Sequence, residues 1–97
     1  MKAVMIVYNH AITEEVDETL EKLNIRGFTR FLDVHGQGSD KGEPHQGSHI
    51  WPSKNAVVLT FIEDSLVDGL LKNVEQINKD ADEQGIHAFV WNMEKMI

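Results

Sequence analysis

A chain of 97 residues that is 41% hydrophobic and 26% charged has the size and composition of one globular domain, residues 1–97, which excludes wholesale disorder, a collagen-like repeat and a mainly helical coiled coil. Nine basic against sixteen acidic residues give a formal charge of -7, the wrong sign for tracking a phosphate backbone or resting on an anionic membrane, so no nucleic-acid partner is expected. The absence of cysteine removes disulfides, thiolate zinc sites and a Cys nucleophile, leaving chemistry to His, carboxylates, Lys, hydroxyls and the backbone.

Lys2 to Tyr8 (KAVMIVY) is a run rich in apolar β-formers, predicted to be a strand covered on both faces or central in a sheet. Its apolar part is about a third of the roughly 20 residues that span a bilayer and is too short for a signal sequence, so the expectation is a cytoplasmic protein without membrane insertion. From Thr13 the pattern changes. Val16, Leu20 and Leu23 recur at helical spacing, Glu14, Glu15, Asp17, Glu18 and Glu21 fill the other face, and Thr13 is placed to cap the helix. Asn24 to Gly27 supplies the stop, with Asn24 or Gly27 able to take positive φ.

Phe28 to His35 (FTRFLDVH) is β-rich but mixed in polarity, which suits an edge strand. Gly36 to Ser53 (GQGSDKGEPHQGSHIWPS) follows with four glycines and two prolines; a loop of this length in so small a domain is usually functional or disordered. Ala56 to Ile62 (AVVLTFI) is the next strongly apolar run and is predicted to be a third, central strand. Ser65 and Asp68 form a variant of the capping box ahead of Leu66, Val67, Leu70, Leu71, Val74 and Ile77 at helical spacing. This helix fades in Asp80 to Gly85, and Ile86 to Met93 (IHAFVWNM) closes the chain as a fourth strand.

The order βαββαβ, with right-handed crossovers, places the two most apolar strands side by side in the centre of a four-stranded antiparallel sheet with both helices on one face. This is the α+β, ferredoxin-like split βαβ sandwich. Its other face would leave Phe31, Phe89 or Trp91 exposed in a monomer, so either a homo-oligomer or a C-terminus folded over that face is expected to cover them.

Three histidines, His35, His45 and His49, fall in or beside the glycine-rich loop with Asp40 and Glu43. Imidazoles with a carboxylate can hold zinc, copper or nickel, although the i, i+4 spacing of His45 and His49 lacks a helix because of Pro44 and Gly47, and the plainer reading is solvated loop side chains. His10 and His87 are a turn and a strand residue. Gly36, Gly38 and Gly42 with Lys41 can turn backbone N–H groups and an ammonium toward a phosphate, but their spacing matches no phosphate motif, and glycine-rich turns are common. Trp51 is either an anchor for a partner or packed on the body of a subunit. Nucleophile elbows, H-E-x-x-H and paired-carboxylate signatures are absent, and acidic clusters such as Glu14 with Glu15 have a simpler reading as solvated helix faces.

Gly27-Phe28-Thr29, then Val34-His35-Gly36-Gln37-Gly38 and Lys41-Gly42, resemble the second strand and the start of the T-loop in PII (nitrogen regulatory protein P-II) signal-transduction proteins. Glu63-Asp64-Ser65-Leu66-Val67-Asp68 is similar to the segment that opens their second helix. The likeness runs over most of the chain and agrees in element order. It implies a homotrimer of ferredoxin-like subunits whose sheets line the inside and whose long loops project to bind and regulate a partner, often a membrane transporter or an enzyme.

Many such proteins bind ATP or ADP and 2-oxoglutarate between subunits. By residue-wise alignment Gly36, Gly38, Lys41, Gly42 and Gly47 keep loop positions, while Asp40 stands where a ligand-contacting glutamine is expected, and an acid there repels an anion. The glycine-rich phosphate loop before the last strand is replaced by Asp80-Ala81-Asp82-Glu83-Gln84-Gly85, the basic tail is absent, and Ile50 falls where some members carry a modifiable tyrosine. These departures argue against the usual ATP, ADP and 2-oxoglutarate binding and against uridylylation at that position.

A shortened, acidic, histidine-bearing chain is more similar to the divergent PII-like proteins that accompany metal-efflux or other transporters. The resemblance thus implies a non-catalytic regulator whose loop recognises a small effector or divalent transition metal and a protein partner. In it His35, His45 and His49 are candidate metal ligands, Gly36, Gly38, Lys41, Gly42 and Gly47 form the ligand- and partner-binding loop, and Trp51 is a contact anchor. The alternatives are a small ferredoxin-like enzyme with a His or Asp base in an oligomeric cleft, and a divalent-cation-binding protein like CutA, a more distant trimeric relative in architecture.

Overall fold

The computed structural model describes residues 1–37, 44–45, 54–81 and 85–97. Its elements are β1 (Lys2–Asn9), a 3-10 turn (His10–Ile12), α1 (Thr13–Lys22), β2 (Phe28–Val34), the two-residue strands β3 (Gly36–Gln37) and β4 (Pro44–His45), β5 (Asn55–Ile62), α2 (Asp64–Asp80) and β6 (Ile86–Asn92). The main sheet runs β2-β5-β1-β6 with every neighbour antiparallel, and β3 pairs with β4 in a separate ladder at the root of the long loop. This is the ferredoxin-like arrangement, with the two apolar strands in the middle.

Alternation along the central strands divides the sheet into two faces. Val4, Ile6 and Tyr8 of β1 and Ala56, Val58, Thr60 and Ile62 of β5 are buried on the helix side. There they meet Val16 and Leu20 of α1, one turn apart, and Leu70, Val74 and Ile77 of α2, which follow the same helical spacing. Burying each such side chain is worth about 1.5–3 kcal/mol, and this layer is the hydrophobic core.

The helix ends are built differently from the pattern the sequence suggests. Asn9 caps the 3-10 turn, its Oδ1 accepting from the Ala11 N–H at 2.8 Å. Thr13 therefore lies inside the helical segment, and its hydroxyl donates back to the His10 carbonyl at 2.6 Å instead of capping. Asn24 takes the left-handed conformation, φ 57°, while the Asn24 N–H donates to Glu21 and the Ile25 N–H to Leu20. These reversed bonds close α1 in a Schellman motif. At α2 the N-cap is Glu63 and no side-chain hydrogen bond caps the helix, so the Ser65–Asp68 pair does not form the box; Asp64 in the first turn instead complements the helix dipole.

Two polar contacts tie the outer strand β2 to the rest. Arg30 on its helix side donates from Nε to the hydroxyl of buried Tyr8 at 2.9 Å, bonds Asp17 of α1, and lays its guanidinium 5.2 Å over the Phe28 ring. Burial works against the Arg30 charge, but the bonds to Asp17 and Tyr8 outweigh it and hold its pKa above the ordinary value, so the group stays a fixed cation between α1 and the sheet. Thr60, wholly buried on β5, donates to the Gly27 carbonyl at 2.6 Å and fixes the entry to β2. Thr60→Val keeps the shape but leaves that carbonyl without its donor; a loss of about 1–3 kcal/mol in urea unfolding is expected. An unchanged midpoint would mean the carbonyl finds another partner.

Candidate functional site at the loop base

Three connections converge at one end of the sheet. The last residue of β1, Asn9, lies opposite Asn55, the first of β5. The Asn9 N–H donates to Gly85, which precedes β6, at 3.3 Å, and the next residue, His10, donates to the Lys54 carbonyl at 2.7 Å. Gly85 has φ +80°, a conformation other residues reach only with strain. The turn after β1, the root of the long loop and the chain leading from α2 into β6 are thus pinned to one another by backbone bonds.

A β-bulge sets the direction in which the long loop leaves. Phe31 pairs with Val57 and Val34 with Asn55, so Leu32 and Asp33 together face Ala56 alone. Asp33 carries the irregularity with φ 56°. The extra residue shifts the alternation and puts Val34 on the same face as Phe31. Gly36 then passes close to Asn55: a Cβ built on it would lie 2.6 Å from Asn55 Nδ2. Lys54 Nζ stands 3.9 Å from Asp33 Oδ1 across the loop root, both side chains open to solvent, so the pair contributes little to stability.

Of the residues singled out in the sequence, Gly36 and His35 stand at this base, His35 exposed, and the backbone of His45 pairs with Gly36. The His45 side chain, His49, Gly38, Lys41, Gly42, Gly47 and Trp51 lie outside the described residues, as do Asp40 and Glu43. Among the described residues no group of three or more His, Asp or Glu side chains is gathered closely enough to hold a metal ion, and no helix is long and apolar enough to cross a membrane. His10 and His87 take the predicted turn and strand positions. Asn9, Lys54, Asn55, Asp33 and Gly85 are components that the sequence reading missed; the available signals are an asparagine at the end of each central apolar run and a glycine just before the last strand.

A second surface lies on the sheet face opposite the helices. Register places three cross-strand rows there: Phe61, Ala3 and Trp91; Thr29, Leu59, Met5 and Phe89; and Phe31, Val57, Val7 and His87. Phe31, Phe61, Phe89 and Trp91 are 45–52% exposed. The aromatic residues expected on this side are therefore where alternation puts them, and the rows hold no carboxylate.

The family model for nitrogen regulatory protein P-II matches residues 1–97. Among solved structures, CPII of Thiomonas intermedia K12, a nitrogen regulatory PII-like protein bound to ADP, AMP and bicarbonate, superposes with a TM-score of 0.75 at 18% identity, over 93% of this chain and 82% of that one. Its apo form gives 0.65 at 14% identity over 93% and 87%, and a PII-like signaling protein of Thermus thermophilus gives 0.59 at 18% over 95% and 85%. A search of curated proteins finds no significant match.

The contact between Gly36 and Asn55 is open to a direct check. Gly36→Ala is expected to cost about 1–3 kcal/mol through crowding, and in Gly36→Ala/Asn55→Ala the loss should fall short of the sum of the single changes by about 0.5 kcal/mol or more. Urea unfolding of the four proteins supplies the cycle; strict additivity would mean that the two residues do not meet.

Proposed function

The chain belongs to the nitrogen regulatory protein P-II family, a family of regulatory signalling proteins, and from that premise we propose that it is a non-catalytic cytoplasmic regulator, a homotrimer whose long loop reports a bound small effector to a protein partner such as a membrane transporter. The observation that carries this reading is the convergence of the three connections at the root of the loop. A ligand seated against Asn9–His10, Lys54–Asn55 and Gly85 touches the anchor from which Gly36 leaves, so its arrival alters what the loop can present.

The effector class favoured is an adenine nucleotide. Support comes from the ADP and AMP held by CPII, from the Lys54 ammonium at the loop root, and from the glycine at position 85, which lets backbone approach a ligand closely. Gly38, Lys41, Gly42 and Gly47 would extend the same site from the loop, with Trp51 as the contact for the partner. The competing effector is a divalent transition metal on His35, His45 and His49, favoured by the exposure of His35 at the base of the loop.

The subunits meet in this proposal through the open sheet face. Nearly all of its side chains are apolar, and aromatic residues on it are about half exposed, an arrangement expected of an interface core. Charge supports a second copy as the occupant. The acidic residues of α1 lie on the far side of the sheet, so two chains of net charge -7 approach with least repulsion through these rows.

Thermal shift and calorimetry with ADP, AMP, bicarbonate and zinc, each added separately, test the effector. At roughly 100 times Kd a ligand stabilises by about 2.7 kcal/mol, which at about 4–8 °C per kcal/mol for a domain of this size raises Tm by roughly 10–20 °C. The expected result is a saturable rise with ADP or AMP that Lys54→Ala weakens about tenfold, the loss of one charge-assisted contact. A rise with zinc alone, abolished in His35→Ala/His45→Ala/His49→Ala, would transfer the site to the metal, and silence towards all four would remove the small-effector reading.

A further inference from the structure

Among the described residues, His87 is the one ionisable side chain in the three rows of the open face. We infer that it makes assembly through this face pH-dependent, a proton on His87 opposing the seating of a second copy. The inference rests on the reading that a second copy of the chain covers the face.

The surroundings of His87 give the argument its sign. Across the sheet it faces Val7 of β1, and along its own strand the ring lies 6.3 Å from that of Phe89, tilted by 30°. From α2, Glu75 and Asn78 line with it a cleft of about 220 Å³ at the edge of the sheet. That cleft belongs to the helix side of the sheet, whereas register puts the His87 side chain on the open side with Val7 and Phe89. When a second apolar face closes over the row, water leaves, and a cation there must lose either its hydration or its proton. A neutral imidazole has one donor and one acceptor and no charge to desolvate, and packs beside Phe89 as a flat ring. Assembly is therefore favoured where histidine is neutral and weakens as pH falls through the range in which an imidazole takes up its proton, about pH 7 to 6.

The opposite trend would come from bulk charge. The chain carries -7 at neutral pH with an isoelectric point near 5.0, so acidification reduces repulsion between copies and by itself strengthens association. A loss of assembly on the acid side thus requires a local group acting against the global charge, and among the residues of these rows that group is His87.

Sedimentation equilibrium of the full chain at about pH 8 and about pH 6, in the same salt, tests this, with circular dichroism as the check on folding. The wild type is expected to associate at least about tenfold more weakly at the lower pH, the equivalent of one pKa unit displaced on burial. His87→Leu should associate at least as tightly at the lower pH as at the higher, and His87→Lys weakly at both. If the wild type is monomeric at the higher pH, the assembly reading falls and this inference with it. If it assembles there and keeps its affinity on acidification, or if His87→Leu loses affinity in parallel with the wild type, assembly stands and the role given to His87 is overturned.

Discussion

The pairing of β1 with β5 is the constraint on which the rest depends. It runs without a break from Lys2 opposite Ile62 to Asn9 opposite Asn55, joining segments more than half the chain apart at their far ends, and both outer strands hang from it. Forming it requires closing a loop that contains α1, β2 and the long connection, and that entropic cost must be met by apolar burial against the helices. The two strands are accordingly the most apolar stretches of the chain, with Val4, Ile6, Tyr8, Ala56, Val58 and Ile62 buried against the helices.

The same register makes the functional geometry. Because Asn9 ends opposite Asn55, the turn after β1 and the return of the long loop are held side by side, and the bond from Asn9 to Gly85 brings in the third connection. A slip of one residue would exchange the two faces, putting Val7, Met5 and Val57 into the core and Ile6, Val4 and Val58 outside. One pairing thus decides the core, the contents of the open face and the position of the loop root together.

Much of the fold was legible because periodicity differs between elements. The unbroken run from Ala3 to Tyr8, the spacing of Val16 and Leu20, and that of Leu70, Val74 and Ile77 each have one economical reading, and strand order followed from which runs could tolerate two covered faces. The ends were less legible. Thr13 and Ser65 carry the capping residue type, yet Asn9 holds the first turn and no side-chain bond caps α2, since a cap is decided by the residue's own dihedral angles as well as by its side-chain chemistry. The candidate site was least legible. Its anchors are backbone bonds between residues distant in sequence, such as His10 to Lys54, and a bulge at Leu32–Asp33 that no local composition announces. Histidines and glycines drew the sequence reading towards the loop itself, where residue types carry obvious chemistry, while the anchoring asparagines and Lys54 carry theirs only by position.

The bulge also gives the proposed effector and the proposed assembly a common element. β2 contributes Phe31 to the open face and, two residues beyond, Asp33 to the loop root, with Val34 returned to the side of Phe31. A ligand that fixes the loop root restricts the dihedrals of Asp33, and a neighbour packed on Phe31 restricts the same short stretch. Whichever binds first meets part of the ordering cost of the other, so the two events favour each other even if no atom moves far. The coupling has to be reciprocal: an effector that tightens assembly is itself bound more tightly by the assembled form, by the same factor.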